Sequence, residues 1–285
     1  MKAVSCVVFT MFMAFVAGCG SDPAGVDINQ RPKVSLNRLA VPTFGIYGMD
    51  GSVISAMGPN AAGWSGTIQS LREYDRLNFF RAKAAGYQTI IGNITRDSIL
   101  FGNWTSVKSQ IAFGKANGVR LFFIDDAQSD QGANKVIGKD AINFVASLVH
   151  AGTYGELILQ EWNLTMMQSN PSYYQNVDII MPYQFGASTA SQYASFMQSV
   201  RALFPYKKII PELGYHADIE GDLKGFYASQ TGTPGTGHIE IARQYASTGI
   251  VFYYCYYTPL DSTTALTEYL QAYYQMGSTS GTITP

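Results

Sequence analysis

With 285 residues, three Cys and a formal net charge of −1, the chain is long enough for one sizeable α/β domain and carries no Lys/Arg cluster able to track a phosphate backbone. The charge pattern argues against nucleic acid as a partner. Charged residues make up only 14% while Tyr and Phe number 19 and 16, a balance that fits a protein meeting neutral, polar ligands on aromatic faces and equally fits aromatic packing in a large core.

Taken in chain order, the first eighteen residues hold one Lys and then a mostly apolar stretch from Val4 to Val16, the length of a signal peptide and too short to span a bilayer as a helix. Val16-Ala17-Gly18-Cys19 resembles the lipobox of bacterial lipoproteins, which implies cleavage before Cys19 and its lipidation. On that resemblance the cell envelope is the expected location, with membrane contact through the lipid only. The outer membrane is favoured because Gly20-Ser21 does not resemble the Asp-type signal for inner-membrane retention. The expected division is signal peptide 1–18, flexible tether 19–38, a single, monomeric domain over 39–276 and a Gly/Ser/Thr tail over 277–285. Cys255 then has no partner for a disulfide or metal site and reads as a buried thiol.

Within the domain, apolar runs bounded by turn residues recur at Phe44–Tyr47, Thr89–Ile94, Arg120–Ile124, Leu157–Trp162, Val177–Tyr183, Lys208–Leu213 and Ile250–Tyr257. Segments of helical character fill the gaps, about 70–85, 103–117, 137–151, 189–204, 236–247 and 262–275. Gly86, Gly118 and Gly249 stand where a helix should stop and a strand begin. Strand runs that are apolar at consecutive positions, separated by helices, are the pattern of parallel βα units covered on both faces. The expected fold is α/β, a (β/α)8 TIM-type barrel or one of seven or irregular strands. The eighth strand is sought in Ser52–Met57 or in 217–235. Loops Met49–Gln69 and Ala217–Gly235 are long for βα connections and read as cleft walls or lids.

In such barrels the chemistry sits at the carboxyl ends of the strands, so the residues that terminate each run are the candidates. They are Asp50, Asn93, Asp125-Asp126, Gln160 with Glu161, Trp162 and Asn163, Tyr183-Gln184, Glu212 followed by Tyr215 and His216, and Tyr256-Tyr257 near Thr258. Glu161 and Glu212 are the favoured catalytic carboxylates, with Asp125 and Asp126 in reserve. Successive strand residues alternate faces, so only one of those Asp residues points inward. Three scattered His residues give no metal-ligand spacing, and no metal or cofactor is expected.

A rim of carboxylates, amides and aromatic rings is the equipment of glycoside hydrolysis. At these residues the chain resembles the (β/α)-barrel glycoside hydrolases. Gln160-Glu161 is similar to the Asn-Glu that ends the fourth strand in one clan, with the Glu as acid/base, and Met181-Pro182-Tyr183-Gln184 to a strand motif of chitinase-like barrels. Two departures stand out: Glu212 ends the sixth counted strand rather than the seventh, and the Asp-x-x-Asp-x-Asp-x-Glu signature is absent. The resemblance implies a surface-anchored glycoside hydrolase with a glycan substrate. The alternative is a non-catalytic, glycan-binding lipoprotein on the same scaffold.

Overall fold

The computed structural model describes residues 44–47, 66–87, 89–125, 127, 136–152, 154–183, 189–215, 238–247 and 249–254, all within the compact unit Lys33–Pro285. In chain order the elements are β1 (Phe44–Tyr47), β2 (Gly66–Ser70), α1 (Arg76–Ala84), β3 (Thr89–Asn93), α2 (Arg96–Leu100), α3 (Trp104–Ala116), β4 (Leu121–Ile124) and α4 (Lys139–His150). There follow β5 (Glu156–Glu161), α5 (Leu164–Ser169), β6 (Ile179–Pro182), α6 (Ala190–Leu203), β7 (Lys208–Ile209), β8 (Glu212–Tyr215), α7 (His238–Tyr245) and β9 (Ile250–Tyr254).

Every strand pairing among the described residues is parallel. Each strand from β1 to β6 pairs with the next, and β9 pairs with β1. The run expected as one strand over Lys208–Leu213 is split at Ile210-Pro211. Its first half, β7, pairs with β6, and its second half, β8, pairs with β9. Pro211 has no N–H to give and the regular ladder is interrupted there, while an isolated parallel bridge between Tyr183 and Glu212 keeps the second half beside β6 as well. The neighbouring groups remain satisfied: Ile210 N donates to Ile180 O, and Val251 N donates to Pro211 O, both at 3.0 Å. This is the α/β TIM-type fold expected from the sequence.

The strand missing from the sequence reading is β2. It lies neither in Ser52–Met57 nor in 217–235, both outside the described residues, but in Gly-Thr-Ile-Gln-Ser at 66–70, where the loop 49–69 and the start of a helix were expected. Only Ile68 in it is strongly apolar. Thr67 and Gln69 face the helix layer fully buried, and they are tolerated there because Gln69 Nε2 donates to Thr67 Oγ1 at 2.8 Å.

Two helix stops were legible. Gly86 and Gly118 take φ of 90° and 87° after α1 and α3. In each case the following N–H reaches back across the last turn, Tyr87 N to Ala82 O and Val119 N to Gly114 O. That left-handed closure is open to Gly at no steric cost.

Alternation along the strands produces two cores. Leu71, Phe122, Ile124, Leu157, Leu159, Ile180 and Ile209 face the helices. On the opposite, inner face Ile68, Ile91, Phe123, Ile158, Ile179, Met181, Ile210 and Val251 pack together. The outer layer leaves little room around Phe122: a Cβ added at Gly114 or at Gly155 would stand 2.8 Å from its ring. Gly155→Ala is therefore expected to overpack this contact and lower stability by about 1–3 kcal/mol, read as a fall in urea midpoint with an unchanged slope.

Candidate active site at the carboxyl ends of the strands

In a TIM-type fold each interior level is filled by side chains of alternate strands. Strand tilt moves the residue at a given level two register positions on for every two strands crossed. Asn93 is in register with Phe123 and that residue with Ile158, so the level of Asn93 continues two positions on, at Gln160. Gln160 is in register with Met181, which stands opposite Ile210, so the level continues at Glu212. The side chains agree: Gln160 Nε2 donates to Glu212 Oε2 at 2.5 Å. One level further toward the carboxyl ends come Ser70, Asp125 and Tyr183 by the same construction, and Tyr183 is bridged to Glu212 through the backbone. The level beneath is apolar, made by Ile68, Phe123, Met181 and Val251. Along the inner face the lining changes from hydrocarbon to amides, carboxylates and a phenol in one step.

Glu212 is 1% exposed, Gln160 2% and Tyr183 2%, whereas Asn93 and Asp125 are half-buried. A carboxylate so completely removed from water needs donors, and Gln160 supplies one. The charge of Glu212 is also felt from the helix side, where the phenol of Tyr193 on α6 is held well above its ordinary range first by burial and then by that charge.

Glu161 goes elsewhere. Ile158 and Gln160 share the inner face, so Glu161 turns outward into the layer between β5 and the helices. Its Oε1 accepts the N–H groups of Trp162 and Asn163, both at 3.0 Å, and its Oε2 accepts the hydroxyl of Tyr174 at 2.9 Å. Burial, then the Glu161 charge and this bond, push the Tyr174 phenol far up. Tyr173 is raised by burial and by Glu161, with Arg96 opposing. Glu161 thus ties the β5–α5 turn to the Pro171–Tyr174 helical turn, and the structure does not bring it together with Glu212.

Of the other candidates, Asp125 lies on the inner face with Phe123, and Asn93 ends β3 on that face. Asn163 caps α5, its Oδ1 accepting Met166 N at 3.1 Å, and Trp162 is half-buried beside it. Tyr215 ends β8. Asp50, Asp126, Gln184, His216, Tyr256, Tyr257 and Cys19 lie outside the described residues. Sequence reasoning had Gln160 only as the neighbour of a catalytic Glu and passed over Ser70. Two-residue alternation from Ile158 is the signal that picks out Gln160.

Among the described residues no group of three or more His, Cys, Asp or Glu could hold a metal ion, and no helix is long and apolar enough to cross a membrane. The described Lys residues stand on helices or at the opposite rim. There Lys208 Nζ meets Glu156 Oε1 at 2.5 Å and Lys207 Nζ donates to Val177 O at 2.5 Å.

No protein-family model and no curated protein sequence matches the chain. Among solved structures it is similar to a phosphonopyruvate hydrolase solved with oxalate and Mg2+, at 13% identity and a TM-score of 0.50 over 84% of this chain and 83% of that one. A type I 3-dehydroquinate dehydratase from Clostridium difficile follows at 10% identity and TM-score 0.46, over 81% and 92% of the two chains. A dihydrodipicolinate synthase from Bacillus clausii has 9% identity and TM-score 0.42, over 74% and 68%. At these identities the likeness shows the TIM-type fold alone.

The glycoside-hydrolase reading is overturned. The two carboxylates that the reading needed lie on opposite faces of the strands, and the phosphonopyruvate hydrolase that shares the fold is an enzyme of another chemistry. The glycan-binding alternative, which rested on the same rim resemblance, falls with it. The lipoprotein reading likewise finds no support in any comparison.

Two outcomes follow. Glu161→Ala strands three donors in a buried layer and is expected to cost roughly 3 kcal/mol of stability, with Glu161→Gln costing less, measured by urea unfolding. The raised phenols of Tyr87, Tyr173, Tyr174 and Tyr193 must lose their protons more easily in the unfolded chain than in the folded one. Their contribution is complete below the ordinary phenol value of about 10 and is lost progressively as pH rises above it toward the raised folded values. The urea midpoint should hold to about pH 9.5 and then fall, less steeply in Tyr193→Phe.

Proposed function

We propose that this chain is an enzyme whose reaction runs by proton transfer at Glu212, on a small polar molecule taken up between the carboxyl ends of the strands. The observation that carries the reading is a carboxylate 1% exposed, on the inner face, fixed by Gln160 directly above an apolar floor. That is where TIM-type enzymes keep their reacting groups, and burial is what brings a carboxyl into the pH range where it exchanges protons usefully. Asn93, Asp125 and Tyr183, at or next to the level of Glu212, supply the hydrogen bonds that orient a substrate.

Imine chemistry is the other common use of such a rim, but it needs a Lys amine beside the substrate. Among the described residues none stands at the carboxyl ends of the inner face, since Lys208, which shares that face with Ile179 and Ile210, lies at the opposite rim against Glu156, and this favours proton transfer.

The test is a turnover screen by mass spectrometry and by deuterium uptake from D2O, over a panel of small oxo acids, hydroxy acids, amides and amines. Wild type is compared with Glu212→Gln and Glu161→Gln. Turnover of a panel member should fall at least about 100-fold in Glu212→Gln and persist in Glu161→Gln. Equal turnover in wild type and Glu212→Gln, or no turnover of the panel by wild type, counts against the reading.

A further inference from the structure

Resting on that reading, we infer that Gln160 is the positioning residue that holds Glu212 in its ionised form, so that Glu212 works as a general base and not as an acid. The nitrogen of the Gln160 amide faces Oε2 of Glu212, and an amide nitrogen can only donate. A bond donated to a carboxylate favours the charged state over the neutral one. Had the amide oxygen faced Glu212, the carboxyl would need its own proton to make the bond and would begin the cycle as an acid. The two orientations of one amide therefore correspond to two opposite chemical roles.

Gln160 has little freedom to turn away. Its backbone lies in β5 between Ile158, packed on the inner face, and Glu161, anchored outward to Trp162 N, Asn163 N and Tyr174. Glu161 is in this sense what makes the Gln160 contact reliable.

Among the described residues, Tyr183 just past β6 is bridged to Glu212 through the backbone, Tyr193 of α6 feels its charge, and Asp125 after β4 stands one level above on the inner face. Phenols are neutral at ordinary pH, and a like charge, such as an ionised Asp125 supplies, opposes ionisation of Glu212. Gln160 works against that opposition. In the forward step the Glu212 carboxylate accepts a proton from the substrate or from water. The electron pair stays on the atom that gave it, and Glu212 becomes neutral. Returning that proton later restores the charge that Gln160 stabilises.

The experiment is direct titration of the Glu212 carboxyl by 13C NMR in the full chain labelled at Glu side chains, with the Glu212→Gln spectrum identifying its resonance. The variants are Gln160→Met, an apolar side chain of similar length beside Met181, and Gln160→Leu should Met fail to fold. The midpoint is expected to rise by about one unit or more when Gln160 is replaced, about tenfold in the ionisation constant, and to fall in Asp125→Asn. A midpoint that is unmoved or lower without Gln160 overturns the proposal. Because the titration needs no substrate, it is independent of the turnover screen: loss of turnover in Glu212→Gln with an unmoved midpoint would keep the enzyme and discard the role of Gln160.

Discussion

The arrangement depends on one constraint, the alternation of side chains along β5. Ile158 packs on the inner face with residues of five other strands, and once it does so Gln160 must follow it inward and Glu161 must turn out. A slip of one residue would exchange the two and put a charge where an amide now reads Glu212. Two adjacent polar residues thus acquire unrelated work. Glu161 gathers the backbone of its own turn and a tyrosine from the next, while Gln160 reaches across β6 to a carboxylate 52 positions further along the chain.

The inner face is built as a graded column. Ile91, Ile158, Ile179 and Ile210 lie lower, Ile68, Phe123, Met181 and Val251 come next, and amide, carboxyl and phenol groups begin immediately above. An apolar floor keeps water from reaching the polar level from beneath. In that setting each donor counts for more than it would in solvent, and each missing one costs more. The same logic governs the outer layer, where the buried Thr67–Gln69 pair and the Glu161–Tyr174 pair survive because each is satisfied by a partner nearby.

Legibility followed hydrophobic contrast. The fold class and seven apolar runs could be read because a strand covered on both faces is apolar at consecutive positions, and because Gly86 and Gly118 mark turns that other residues would strain to make. β2 could not be read: with Thr67 and Gln69 buried against each other it carries the composition of a loop, and its membership depends on neighbours far along the chain. In the site, the positions of Asn93 and Asp125 at strand ends were legible, whereas Glu212, expected to end a strand, opens β8. The inward turn of Gln160 was not drawn, because resemblance to an Asn-Glu motif favoured the carboxylate over the face it occupied. Motif similarity ranks residue types, whereas strand geometry ranks directions, and here direction decides.

The break at Ile210-Pro211 gives the fold a seam. Before it the chain pairs with β6 and after it with β9, and Glu212, the first residue of β8, still bridges Tyr183 just past β6. The Gln160–Glu212 bond adds a side-chain tie to β5 at the point where a proline interrupts the regular ladder. Glu212 is thereby held from three strands at once, by backbone pairing with β9, by the bridge to Tyr183 beyond β6 and by the side chain of Gln160 on β5.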